Sequence, residues 1–128
     1  MFAEDVPTTR VSELPAGEFP LLDVREDDEW QAGHAPGALH IPLRDLPARM
    51  GELADFPDGH PVFVVCRTGG RSEQATAFLN ANGYEACNVA GGMKSWQTEG
   101  RPMVAEPSPA GYAPTGGGTP TDAQPRVL

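Results

Sequence analysis

The sequence predicts an α/β fold of three layers, a mainly parallel central sheet with helices on both faces. Two observations predict it. Short apolar runs suited to strands alternate with segments of helical periodicity, the order that gives parallel strands joined by crossover helices. One of those runs, residues 61–66 (PVFVVC), is continuously apolar and rich in β-branched side chains, as a strand covered on both faces requires.

Residues 20–25 (PLLDVR) form the first expected strand, apolar and ending in charge. Residues 26–31 open with four acids, which suit a helix start because the aligned peptide dipoles leave partial positive charge there. A second strand over 38–42 is bounded by Pro36-Gly37 and Pro42. Within 43–56, Leu43, Leu46, Met50, Leu53 and Phe56 recur at spacings of three and four, and Pro47 and Gly51 divide this pattern into two short helices. The strand at 61–66 is followed by Thr68-Gly69-Gly70 and then a helix over 71–82, with Ala75, Phe78 and Leu79 on one face and Asn82-Gly83 as its stop. Residues 85–89 read as a further strand, and 93–99 as a last short helix with Trp96 on its apolar side.

The 128 residues are 39% hydrophobic and 21% charged, as in globular domains, with 15 glycines and 14 prolines. Ten of those glycines and prolines lie in residues 101–128, where no apolar pattern recurs. Such a stretch buries too little surface to offset its ordering entropy. One domain is therefore expected over 1–100 and a Pro/Gly-rich flexible tail over 101–128. The net charge of −9 arises wholly in the first hundred residues, and with a single lysine, Lys94, there is no broad basic surface for nucleic acid or anionic lipid. No apolar run approaches the ~18–20 residues of a membrane span. The start, with Glu4-Asp5, lacks the charge of a secretory signal, and two cysteines do not describe a disulfide scaffold. A cytoplasmic protein with reduced thiols is expected, with neither nucleic acid nor membrane as partner.

Chemistry concentrates in Cys66-Arg67-Thr68-Gly69-Gly70-Arg71-Ser72. A cysteine between a buried strand and a helix sits at that helix's positive end, with arginines one and five positions on. Such surroundings favour the thiolate, the reactive form. Gly69 and Gly70 let successive backbone N–H groups turn toward one centre and cradle an anion around the sulfur. Ser72 is suited to cap the helix. The constellation describes a nucleophile that attacks an anion or comes to carry negative charge itself.

This loop resembles the active-site loop of the rhodanese-like (sulfurtransferase) family, whose single-domain members carry C-R-x-G-x-R-S. The resemblance extends to Asp23-Val24-Arg25, Glu29-Trp30, the run from Gly33-His34 to Gly37-Ala38, His40-Ile41-Pro42, and Gly91-Gly92 with Trp96, so that roughly residues 6–100 match in order. It implies transfer of a sulfane sulfur in two steps, of the thiosulfate sulfurtransferase type. Cys66 would take the outer sulfur of thiosulfate or a persulfide donor and release it to an acceptor, namely cyanide, a thiol or a protein. Residues 67–72 would hold the persulfide and the small anionic donor, and no metal or organic cofactor is implied.

Loop length bears on the alternatives. Phosphatases and arsenate reductases on this fold use Cys-x5-Arg, a wider cradle for a tetrahedral oxyanion, whereas Cys66 to Arg71 is Cys-x4-Arg, which favours sulfur. A persulfide carrier or a protein-interaction module with little turnover stays open. Asp23 and Arg25 either approach the loop or form a structural charge network. Glu29 either braces a loop arginine or is solvated. His34 reads as a turn residue, His40 and His60 lack metal-ligand spacing, Cys87 reads as a buried strand residue, and Trp30 and Trp96 as core aromatics.

Overall fold

The computed structural model describes residues 6–56 and 59–105. Among the described residues five strands, β1 (Thr8–Arg10), β2 (Leu21–Asp23), β3 (Leu39–His40), β4 (Val62–Val65) and β5 (Ala86–Ala90), form one sheet in the order β1-β5-β4-β2-β3, every pair parallel. Four helices accompany them: α1 (Asp27–Ala32), α2 (Leu46–Arg49), α3 (Gly70–Ala81) and α4 (Gly92–Thr98). Tight 3-10 turns at Leu43–Asp45 and Met50–Asp55 flank α2, so the periodic stretch broken by Pro47 and Gly51 is indeed short helical pieces.

Side chains alternate across β4 and divide the core in two. Val62, Val64 and Cys66 join Leu22, Ile41, Leu46 and Leu79 on one face, while Phe63 and Val65 join Leu21, Val89, Met93 and Trp96 on the other. Helix α3 and the α2 region cover the first face and α4 the second, giving the three layers that a doubly buried central strand demands. At roughly 1.5–3 kcal/mol per buried large aliphatic side chain, these two clusters hold the sheet between its helical layers.

Two features lie beyond the sequence pattern. Strand β1 was not anticipated, because Thr8–Arg10 is polar and partly exposed; pairing with β5, Thr8 opposite Asn88, makes it a strand. Residues 101–104 also pack on the body rather than starting a tail at 101. Met103 is buried in the second cluster, Val104 exchanges backbone hydrogen bonds of 2.8 and 2.9 Å with His34, and Arg101 lies over the Trp96 ring. The remainder of the expected tail, residues 106–128, lies outside the described residues. Among the described residues no helix is long and apolar enough to cross a membrane.

The parallel strands end at one edge of the sheet, and the segments after β2, β4 and β5 meet there. This edge, where ligands bind in open α/β sheets, carries Arg25, Cys66 and Gly91.

Candidate active site

Cys66 leaves β4 and α3 begins four residues later, so the chain must reverse in Arg67, Thr68 and Gly69. Gly69 does this at φ +132°, a conformation open to glycine and strained for any other residue. The turn puts the Gly69 N–H 3.1 Å from Cys66 Sγ, and the Ser72 hydroxyl lies 3.4 Å from the same sulfur. The backbone N–H groups of Thr68 and Ser72 act on it as well.

The carbonyls of this loop explain why its N–H groups face inward. Met93 N–H donates to the Cys66 carbonyl at 2.8 Å, Lys94 N–H to that of Arg67 at 3.0 Å, and Gly91 N–H to that of Thr68 at 3.1 Å. A trans peptide places C=O and the next N–H on opposite sides. Tying the Arg67 and Thr68 carbonyls to α4 therefore aims the Thr68 and Gly69 N–H groups at the sulfur. Gly92 makes this contact possible: at φ +53°, a Cβ there would stand 2.3 Å from the Cys66 carbonyl oxygen.

Burial, with Cys66 1% exposed, pushes its thiol pKa up. Hydrogen bonds from the Ser72 hydroxyl and from the Ser72, Gly69 and Thr68 N–H groups outweigh that and hold the thiol below its ordinary value. Cys87, half-buried in β5, has no such donors, and burial alone pushes its thiol up. The two cysteines are thus chemically distinct: the surroundings favour the thiolate at Cys66 and disfavour it at Cys87.

Arg71, in the first turn of α3, is gripped by Glu29 across 42 residues of sequence, Nη1 to Oε1 at 2.7 Å and Nη2 to Oε2 at 2.9 Å. Such a bidentate pair fixes the guanidinium plane as well as its distance. The pair uses two of its five N–H donors, and toward the Cys66 sulfur Arg71 acts through its charge. Glu29 also accepts the Glu26 N–H at 2.9 Å as half of a capping box at the start of α1. The side-chain hydrogen bond from Arg71 is the main reason its pKa falls to about 2, against desolvation that works the other way. A carboxylate depressed in the folded state contributes stability that is complete above its unfolded value, near 4.5, and is lost as pH falls toward about 2. Glu29→Gln is accordingly expected to lower stability at pH 7, and urea unfolding of the two proteins should converge as pH falls from 4.5 toward 2. A difference unchanged across that window would remove the linkage.

Asp23 and Arg25 form the charge network rather than a contact with the loop. Arg25 Nε donates to both carboxylate oxygens of Asp23 at 2.9 and 3.0 Å, and Nη2 donates to Asp23 Oδ2 at 2.7 Å and to the Gly33 carbonyl at 2.8 Å. Both side chains are buried, and through Gly33 they anchor the end of the helix that carries Glu29. Arg67, Thr68 and Gly70 are exposed at the mouth of the loop.

Ser72 departs from its expected role. Gly69 is the N-cap of α3, and the buried Ser72 side chain turns instead toward Asn88 Oδ1 at 2.5 Å, Gly69 O at 3.2 Å and Cys66 Sγ. Asn88 is therefore a site residue that the reading of the loop missed. Its signal was present as an amide inside the buried strand run ACNVA, where an unpaired polar group is costly and a partner has to exist. Trp30 is not a core aromatic: α1 buries none of its residues, and the indole stacks on the imidazoles of His34 and His40, with ring centroids at 3.5 and 4.6 Å. His34 Nδ1 pairs with the Trp30 carbonyl at 2.8 Å, in keeping with a turn residue. Trp96 is buried, and its indole N–H donates to the Pro102 carbonyl. Among the described residues no group of three His, Cys, Asp or Glu side chains is placed to hold a metal ion.

Fold and site together define a parallel α/β domain built around a shielded, hydrogen-bonded cysteine at the end of its central strand. The chain belongs to the rhodanese-like domain family, which it matches over residues 9–99. It is 40% identical over 86 residues to a sulfurtransferase of Allochromatium vinosum, covering 66% of this chain and 78% of that one. It is 35% identical over 104 residues to the thiosulfate sulfurtransferase GlpE of Actinobacillus succinogenes, covering 80% and 90%. A crystal structure from Staphylococcus saprophyticus superposes with a TM-score of 0.65 at 35% identity, over 74% of this chain and 97% of that one.

Proposed function

We propose that the protein is a sulfurtransferase that carries a sulfane sulfur as a persulfide on Cys66. The Cys66 thiolate attacks the outer sulfur of thiosulfate; the S–S bond of the donor breaks and sulfite leaves with its electron pair. An acceptor thiolate or cyanide then attacks the terminal sulfur, and Cys66 leaves as the thiolate. The terminal sulfur is anionic while bound, and donors set around it in a water-poor loop stabilise it without rearranging. Arg71, held by Glu29, supplies a fixed positive charge, and Arg67 stands free at the mouth to meet the sulfonate end of the donor.

The observation that carries this reading is the convergence of the Gly69 N–H and the Ser72 hydroxyl on Cys66 Sγ, with the loop carbonyls drawn away by α4. The relatives named for sulfur transfer support it. Intact mass after incubation with thiosulfate is the test. The reduced protein should gain one sulfur atom, Cys87→Ser should keep the gain and Cys66→Ser should lose it. No gain from thiosulfate or from a small persulfide would overturn the reading. Steady turnover to cyanide then separates an enzyme from a carrier that loads sulfur and waits for a protein acceptor.

A further inference from the structure

Nearly every positive charge among the described residues is already occupied. Arg10, Arg25, Arg44, Arg49 and Arg71 each hold a carboxylate, and Arg101 lies over Trp96 and donates to the Val11 carbonyl. Among these residues Arg67 and Lys94 alone have neither an acidic group nor a ring or carbonyl as side-chain partner, although the chain carries 18 acids against nine basic residues. Both are exposed, and they are neighbours: Lys94 N–H donates to the Arg67 carbonyl at 3.0 Å, one step out from the bond that joins Met93 N–H to the Cys66 carbonyl. Two exposed cations thus stem from adjoining backbone beside the sulfur loop, on a chain whose net charge is −9. Lys94, the sole lysine, stands on α4 and outside the loop that surrounds the sulfur.

We propose that Arg67 and Lys94 form an outer anion subsite that takes the carboxylates of a small thiol, as acceptor or as its persulfide. The subsite deepens the sulfur-transfer reading and rests on it for the identity of the ligand. Thiosulfate is too short to need a charge beyond the loop. A thiol with carboxylates a few atoms from its sulfur has its reacting atom at Cys66 and its charge at the rim. In discharge the acceptor thiolate attacks the terminal sulfur of the Cys66 persulfide, a new S–S bond forms on the acceptor as the bond to Cys66 breaks, and the electron pair stays on Cys66 as its thiolate. No oxidant or reductant enters.

The experiment has two readouts on wild type and Lys94→Glu, an exposed substitution. The first is alkylation of Cys66 by iodoacetate and by iodoacetamide, which differ in charge and report the potential at the mouth whether or not sulfur is transferred. The ratio of the two rates should fall about threefold to tenfold in Lys94→Glu, in low salt, and the effect should shrink as salt screens it. The second is single-turnover discharge of the loaded protein to mercaptosuccinate, a dicarboxylate, and to uncharged 2-mercaptoethanol. Lys94→Glu should slow the first about tenfold and the second less than twofold. An unchanged alkylation ratio, or equal slowing of both thiols, overturns the subsite. A shifted ratio in a protein that loads no sulfur supports a cationic rim and overturns the sulfur-transfer reading instead.

Discussion

Gly92→Ala is expected to destabilise the domain by about 3–5 kcal/mol and to cut sulfur loading at Cys66 by about a hundredfold where the protein is still folded. The two effects have one cause. At φ +53° an alanine takes on a left-handed strain of about 1–2 kcal/mol. Its Cβ would also stand 2.3 Å from the Cys66 carbonyl oxygen and 2.6 Å from that of Arg67, which are backbone atoms with no rotamer to escape into. Relief requires α4 and the loop to separate, and that breaks the bonds from Met93 and Lys94 that turn the loop carbonyls outward. The N–H groups then lose their aim at the sulfur. Gly70→Ala is the control for stability: nothing lies within 4 Å of its Cβ position and its φ is not positive. That change should be neutral or stabilising by a few tenths of a kcal/mol. Urea unfolding of both variants, with intact mass after thiosulfate, checks the pair. A Gly92→Ala protein as stable as wild type would mean that α4 does not set the loop.

The contrast between those glycines shows what the sequence makes visible. Strand, cysteine, glycine turn and helix are contiguous from 61 to 82, so the chemistry of the loop is readable as local pattern, and the central strand announces its own burial. What closes the site from outside comes from distant segments. Glu29 reaches Arg71 over 42 residues, Asn88 reaches Ser72 over 16, and α4 ties the back of the loop. Each depends on the sheet register, which places β5 and β2 on either side of β4. One acid among four at a helix start carries no mark of which will face an arginine. A Gly-Gly pair before a helix shows that the backbone needs freedom, and leaves open what it approaches. Strand β1 and residues 101–104 escaped for a related reason: their polar or irregular sequences become structure only against an edge already built.

Asp23→Ala should be the most destabilising change at a charged position, by about 3–5 kcal/mol, because it leaves the Arg25 guanidinium buried with one carbonyl for company. Asp23 is 0% exposed and Arg25 6%, so water cannot replace the lost carboxylate without opening the sheet edge. The pair itself need not be worth that much, since desolvating two charges consumes most of their attraction. Asp23→Val combined with Arg25→Met, close in summed volume and free of charge, should therefore regain most of the stability lost by Asp23→Ala. It should fall short of wild type by about 1–3 kcal/mol, because the Gly33 carbonyl loses its donor. Denaturant unfolding of the single and double variants decides this; a double variant as weak as the single would mean that shape, and not an orphaned charge, sets the cost. Sulfur loading adds a second reading. The side-chain hydrogen bonds of Asp23 and Arg25 run to each other and to the backbone of Arg25 and Gly33, with none to the loop, so their side chains should act on Cys66 through α1 and the Glu29 it carries. Folded Asp23→Ala should keep loading within a few-fold of wild type, whereas Gly92→Ala should not, which separates residues that hold the domain from those that aim the donors.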